Sequence, residues 1–146
     1  MAYEVRRNGY VVSTDPAALD LDAIHDFLAN RSYWSAGISR ERLAAAIERS
    51  IPFGVYHDGR QVGFTRVITD GSTIAYIADV YVDEAYRGRG LSKLLMEAVM
   101  AHPELQDLKR WILGTNDAHG LYARYGFKPL AVPERWMELV PEESAP

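Results

Sequence analysis

The stretch from Ile74 to Val99 limits most strongly what this chain can fold into. It begins with a near-continuous apolar run, passes through a short acidic turn and a glycine-rich segment from Arg87 to Ser92, and ends with apolar residues at helical spacing. This order predicts a buried strand, a tight loop and a helix. Glycines let the backbone approach a ligand, and the first N–H groups of a helix lack partners. The stretch therefore indicates a phosphate-binding loop.

The rest of the chain predicts an α/β protein of the α+β kind, with a mostly antiparallel sheet. Asn8-Gly9, Asp58-Gly59 and Asp70-Gly71 are hairpin signals, and a helical crossover after the central strand predicts one parallel neighbour. The predicted strands are 3–12 (a hairpin), 53–57, 61–69, 73–82, 110–114, a strand after Gly126, and a closing strand over 133–140; the predicted helices are 20–30, 39–50, 90–101 and a short one that ends at Gly126.

Composition narrows the functional classes. A length of 146 residues favours one domain over residues 1–146. The chain has no cysteine and only four scattered histidines, so we expect neither disulfides nor a metal site. A net charge of −4 argues against nucleic-acid binding. No apolar run is long enough to span a membrane and the N-terminus lacks a signal-peptide core, so the expected location is the cytoplasm, away from membranes.

Two motifs resemble those of one enzyme family. The glycine-rich segment contains Arg-x-x-Gly-x-Ser from Arg87 to Ser92, and further on Ala-x-x-Leu-Tyr-x-x-x-Gly-Phe runs from Ala118 to Phe127. Both resemble the motifs of the GCN5-related N-acetyltransferases (GNAT), in the same order and with matching elements between them. Ser92 stands where the family usually has glycine or alanine, a mild departure because serine is also small.

The resemblance implies a GNAT fold, in which the central sheet is splayed between two parallel strands and flanked by about four helices. It also implies acetyl-CoA as cosubstrate, with its pantetheine arm on the splayed strand and its pyrophosphate on the glycine loop. Thr115 stands where the family often has a cofactor-contacting asparagine, and Asn116 is one residue late. The implied cofactor-binding residues are Val80, Tyr81, Val82, Arg87, Gly88, Arg89, Gly90, Leu91, Ser92, Lys93, Thr115 and Asn116.

The resemblance further implies transfer of the acetyl group to an amine that attacks the thioester directly. Tyr122 occupies the position of the general acid that protonates the departing thiolate; the alternative is a core tyrosine on the apolar face. Asp79 is the one charged residue in the central strand. It could accept the amine proton, directly or through water, or bind a cationic substrate. The alternative is a structural carboxylate paired with an arginine or with backbone N–H groups.

The acceptor is expected to be a small-molecule amine. Tyr33 and Trp34, on a loop between two helices, and Tyr76 on the central strand are the expected pocket residues; Arg66 and Trp136 are further candidates. Ordinary core packing is the alternative for the tryptophans. A homodimer is compatible with the family.

Other functional classes stay open. A non-catalytic acyl-CoA-binding or regulatory module could use the same fold, because fold does not fix function. The segment Arg87 to Gly90 could bind nucleic acid, although the chain lacks a longer basic patch.

Overall fold

The computed structural model describes residues 2–141, so the ends of the predicted domain, residue 1 and residues 142–146, lie outside it. Six strands form one sheet in chain order: β1 Glu4–Arg7, β2 Tyr10–Ser13, β3 Ile51–His57, β4 Arg60–Thr69, β5 Ile74–Val82 and β6 Arg110–Ile112. The helices are α1 Leu21–Arg31, α2 Arg40–Glu48, α3 Leu91–Ala101 and α4 His119–Ala123, with short 3-10 turns at Pro16–Ala18, Glu84–Tyr86, Pro103–Leu105 and Pro133–Arg135.

Adjacent strands are antiparallel except for β5 and β6, which are parallel. This confirms the predicted mixed sheet with one crossover through α3. The predicted hairpin turns are present, and both residues of Asn8-Gly9 and of Asp58-Gly59 have positive φ angles. Such angles match the twist of two-residue hairpins.

The sheet separates two apolar cores. One lies under α3, where Leu94, Leu95 and Val99 pack on Phe53 and Val55. The other lies under α1 and α2, and its buried residues are Ile24, Phe27, Leu28, Leu43, Ile47, Phe64 and Tyr81. Helices on both faces therefore bury the apolar run that the sequence shows in β5.

The helices begin where their capping residues predict. The side chain of Asp20 accepts a hydrogen bond from the Ala23 amide at 3.0 Å, and that of Ser39 accepts one from the Arg42 amide at 3.1 Å. Each bond satisfies one of the N–H groups that a helix start leaves unpaired. Within residues 2–141 no helix has the length and apolar character needed to cross a membrane.

The C-terminal strand predictions are wrong. Between Gly126 and residue 141 the structure has no strand, and the predicted closing strand at 133–140 is a 3-10 turn followed by irregular backbone. Its apolar side chains Met137, Leu139 and Val140 are largely exposed. The apolar residues of this segment favour a strand, but a strand needs a partner edge, and β6 is only three residues long.

Candidate active site

The cleft opens where β5 and β6 stop pairing. The two strands are in register from Ile74 opposite Arg110 to Tyr76 opposite Ile112, and β5 then continues to Val82 without β6 beside it. The β6 strand is thus two residues shorter than predicted. The diverging strands leave a cleft of about 1110 Å³, and the β5 backbone from Val80 to Val82 forms part of its wall. Unpaired strand backbone can accept an extended ligand in the manner of an added strand.

The glycine loop closes one end of this cleft. Gly88 and Gly90 have φ angles of +79° and +76°, a left-handed conformation that favours glycine. Gly90 is the N-cap of α3, and no side chain accepts a hydrogen bond from the helix start. The first N–H groups of α3 are therefore available to an anion, and they lie among the residues that line the cleft.

The three basic residues of the loop have different surroundings. Arg87 and Lys93 line the cleft, and Nε of Arg87 also donates to the Val82 carbonyl oxygen at 3.2 Å. Arg89 does not line it. Its Nη1 donates to the Tyr10 hydroxyl at 3.0 Å, and its guanidinium lies 4.9 Å from the centre of the Tyr86 ring. Arg89 thus fastens the loop to β2, an interaction that its sequence position did not indicate.

Tyr122 lies where the core meets the cleft. It is buried on α4, where its ring lies edge-on to Phe127 and joins the α3 core, yet it also lines the cleft. No hydrogen-bond partner for its hydroxyl is present in residues 2–141. Burial raises the pKa of this hydroxyl above its ordinary value, and the neighbouring Tyr33 and Asp117 raise it further. The hydroxyl therefore holds its proton throughout the neutral pH range.

Thr115 and Asn116 both line the cleft but differ in what they can offer. The Thr115 hydroxyl accepts hydrogen bonds from the amides of Asp117 and Ala118, at 3.4 and 3.1 Å, and so fixes the turn into α4. The backbone amide of Asn116 donates to the Tyr33 hydroxyl at 3.2 Å. Within the described residues the Asn116 side chain has no hydrogen-bond partner, which leaves it available to a ligand.

Asp79 is a paired carboxylate on distorted backbone. Its φ angle is +58°, and the pairing of β4 with β5 shifts register beside it, between Phe64 and Arg66. Its side chain is only 5% exposed. One oxygen accepts a hydrogen bond from Nε1 of Trp34 at 2.9 Å, and the other accepts one from Nε of Arg66 at 2.6 Å. The arginine pairing expected under the structural alternative is therefore present.

The loop between α1 and α2 crosses the cleft. Tyr33 and Trp34 pack edge to face, with ring centres 5.0 Å apart. Trp34 is bonded to Asp79 on β5 and Tyr33 to Asn116 beyond β6, so the loop bridges the two diverging strands. Both rings line the cleft, as does Tyr76, and each stays at least 42% exposed. Exposed aromatic rings on a cleft wall are available for contact with a ligand.

The cleft thus brings together nearly all of the predicted site residues. Arg89 and Trp136 are the exceptions; the Trp136 ring lies under the Arg110 guanidinium, 5.0 Å from it, outside the cleft. The cleft residues that sequence reasoning did not name as site residues are Phe27, Ile77, Ala78, Tyr86, Leu113, Gly114, Asp117, Ala118 and Leu121. Phe27 stacks on Tyr81 with ring centres 4.0 Å apart. Its apolar helical spacing indicated only core packing, which gave no reason to select it.

Comparison with known proteins identifies the family. The family model of the acetyltransferase (GNAT) domain matches residues 48–129, more than half of the chain. A protein from Gibberella zeae, whose name assigns it provisionally to the acetyltransferases, is 35% identical over 141 residues, covering 81% of this chain and 78% of the relative. The spermine/spermidine N(1)-acetyltransferase of Bacillus subtilis is 32% identical over 89 residues, covering 53% of this chain and 59% of that enzyme.

A solved structure agrees with both matches. The crystal structure of a GNAT-family protein from Xanthomonas campestris pv. campestris, also named provisionally as an acetyltransferase, is 51% identical. It superposes with a TM-score of 0.88 over 90% of this chain and 92% of its own. The splayed sheet and the glycine loop at the start of α3 agree with the fold of these relatives. The chain belongs to the GNAT family of N-acetyltransferases.

Proposed function

We propose that this enzyme transfers the acetyl group of acetyl-CoA to the amine of a small molecule, with Tyr122 as the proton donor. The observation that carries the proposal is the cleft between β5 and β6, which has the N-terminus of α3 at one end and the buried Tyr122 in its lining. An extended arm with a pyrophosphate fits these two features. The backbone from Val80 to Val82 offers strand-like hydrogen bonds, and the α3 N-terminus offers N–H groups and a favourable dipole.

The chemistry requires three tasks of the site. The amine must reach the thioester without its proton, the carbonyl oxygen needs a donor as it gains charge, and the departing sulfur needs a proton. The backbone N–H of Tyr81 or Val82 is proposed for the carbonyl oxygen. Tyr122 is proposed for the sulfur, because it lines the cleft, its hydroxyl has no partner in the described residues, and a phenol is protonated at neutral pH.

Asp79 is proposed to position Trp34 and Arg66; the alternative hypothesis is that it acts as the base. Both of its oxygens already accept hydrogen bonds from fixed donors, Trp34 and Arg66. This occupancy supports positioning, since few lone pairs remain for the amine. Asp79→Asn separates the two roles. If Asp79 is the base, the variant loses the fall in rate that protonation of the base causes at low pH. If Asp79 is a positioning group, the variant is slower by the same factor at all pH values.

The first experiment is thermal unfolding titrated with acetyl-CoA, with CoA and ATP as controls. A ligand at about a hundred times its dissociation constant adds roughly 2.7 kcal/mol to the free energy of unfolding, which is several degrees for a chain of this size. A shift with acetyl-CoA and CoA but not ATP supports the cofactor site. No shift at saturating acetyl-CoA would contradict the proposal.

The catalytic role is tested by Tyr122→Phe, with release of free CoA as the readout. Loss of a general acid lowers kcat by about 10²- to 10⁴-fold. The Tyr122 hydroxyl has no partner in the described residues, so the substitution should leave the unfolding midpoint and acetyl-CoA binding unchanged.

Tyr125→Phe is the matched control. Tyr125 follows the same helix, lies outside the cleft lining, and donates to the Lys93 carbonyl oxygen at 3.3 Å. We expect it to keep nearly full activity. Equal activity of the two variants would remove Tyr122 from the mechanism.

A further inference from the structure

The Arg66 guanidinium has donors to spare within the cleft. Its side chain is 16% exposed and lies among the cleft residues. Nε donates to Asp79, and Nη1 donates to the Ser50 hydroxyl at 3.1 Å. Nη2 has no hydrogen-bond partner within residues 2–141. Among the described residues only Tyr56 has a buried side-chain polar atom without a partner, so Nη2 is reached by solvent and can donate to a ligand that enters the cleft.

The neighbouring contacts hold this donor in place. Asp79 fixes the guanidinium from one side, and the Ser50 hydroxyl, which itself donates to the Ala46 carbonyl oxygen at 2.6 Å, fixes it from the other. A planar guanidinium held at two nitrogens keeps its third nitrogen in a defined direction. Such a group binds carboxylate or phosphate oxygens with little loss of side-chain entropy.

The carboxylates near Arg66 are not available to a second cation. The charged residues that line the cleft are Arg31, Arg66, Arg87, Lys93, Asp79 and Asp117; of these, Arg31 is paired with Asp26 at 3.2 Å, and Arg87 and Lys93 lie at the glycine loop. Asp79 is already bonded to Arg66, and Asp117 lies on the opposite wall beside Tyr122. Among the described residues, the wall around Arg66 thus has no unpaired carboxylate for a second ammonium group.

We propose that the acceptor amine carries an anionic group, a carboxylate or a phosphate, which binds Arg66 while the amine faces the thioester. The inference rests on the proposed function and names its substrate class. An amino acid or a phosphorylated amino compound fits this description. A polyamine does not, because it would bring further positive charge to the guanidinium. This distinguishes the chain from the relative named for spermine and spermidine, which it matches over only 53% of its length.

The test uses pairs of acceptors that differ in the anionic group. With wild-type enzyme and acetyl-CoA, CoA release is measured for O-phosphoethanolamine against ethanolamine, for β-alanine against propylamine, and for spermidine. We expect the anionic member of at least one pair to have a kcat/KM at least about tenfold higher, the size of one hydrogen bond to a charged group. The two pairs distinguish phosphate from carboxylate.

Variants then assign the preference to Arg66. Arg66→Lys keeps the charge beside Asp79 but loses the planar fork, and it should reduce the preference within the pair, mainly by raising KM for the anionic member. Arg66→Gln removes the charge as well. Arg40→Gln is the control, because Arg40 is paired with Asp22 on the surface of α2 and lies outside the cleft lining. Unfolding midpoints show whether each variant is folded.

The outcomes separate the two proposals. A preference for anionic acceptors that weakens in Arg66→Lys, but not in Arg40→Gln, supports the inference. Faster turnover of spermidine, or of the amines without an anionic group, overturns it and leaves the proposed function standing. An anionic preference that survives both Arg66 variants also overturns it. Binding of acetyl-CoA without CoA release from any amine overturns the proposed function itself.

Discussion

Replacing Asp79 tests the packing of the site more directly than any other single change. Its side chain is 5% exposed and that of its partner Arg66 is 16% exposed, so the pair is largely removed from water. Its backbone is left-handed at φ +58°. Asparagine tolerates this conformation and keeps one acceptor oxygen for Trp34 or Arg66, whereas alanine keeps neither advantage. The two substitutions therefore separate the charge from the backbone.

The expected magnitudes follow from these contacts. Removing one partner of a buried ion pair costs about 3–5 kcal/mol, since the other charge stays buried. A left-handed alanine adds roughly 1–2 kcal/mol. Asp79→Ala should thus lower the free energy of unfolding by about 4–7 kcal/mol, a large share of the roughly 5–15 kcal/mol of an ordinary domain. Asp79→Asn also leaves the Arg66 charge without its counter-ion, but it keeps one acceptor oxygen and tolerates the backbone, so its loss should lie at the lower end, about 3 kcal/mol.

Equilibrium urea unfolding measures both values. The slope of free energy against urea should stay constant, so that the midpoint reports the loss. A double-mutant cycle with Arg66→Met then isolates the coupling of the two side chains. The reasoning is refuted if Asp79→Asn and Asp79→Ala both unfold within about 0.5 kcal/mol of wild type, the range of ordinary surface substitutions.

Two further predictions concern the loops. Gly90→Ala should lower the free energy of unfolding by roughly 1–2 kcal/mol in the same urea assay. The reason is the φ of +76° alone, because a Cβ there would meet no atom within 4 Å. The control is Ala101→Gly, at a solvent-exposed helical position. An equal loss of unfolding free energy in the two variants would show that the urea assay does not resolve backbone conformation. Asp70→Asn should destabilise the protein at pH 7. The Thr73 side chain and the amides of residues 72–74 bond the Asp70 carboxylate and hold its pKa well below the ordinary value, so its contribution is present above about pH 3.9 and fades as the pH falls below that. Thermal unfolding of both proteins at pH 7 and pH 3 measures the difference, and a gap that widens at pH 3 would contradict the assignment.

Local signals were sufficient for most of the fold. Asn-Gly and Asp-Gly turns, the caps Asp20 and Ser39, and the helical spacing after Gly90 each depend on residues close in sequence, and each predicted element up to β6 is present. The site followed from two motifs about 30 residues apart, which the diverging strands bring to one cleft. These signals can be recognised in the sequence because they depend on local backbone preferences and not on long-range contacts.

What the sequence could not give depends on partners far away along the chain. Arg89 fits a phosphate loop by position, but Tyr10, 79 residues earlier, accepts its hydrogen bond. The loop containing Tyr33 is attached to Asn116, 83 residues later. The segment at 136–140 is rich in apolar residues but has no strand to pair with in the part of the chain that the structure describes. Such hydrogen-bond partners are brought together only by the complete fold, so a local sequence pattern cannot predict them.

The irregularity at Asp79 explains why the apolar run of β5 does not alternate. Ala75 and Ile77 pack in the α3 core, and strict period-two alternation would place Tyr81 there too. Tyr81 instead packs with Phe27 on the opposite face, while Val82 joins the α3 core. The left-handed residue exchanges the two faces of the strand, as a bulge does. Asp79 therefore has two effects: its backbone changes which side chains of β5 face the cleft, and its carboxylate holds Trp34. The cleft wall and the position of the loop between α1 and α2 thus both depend on this one residue.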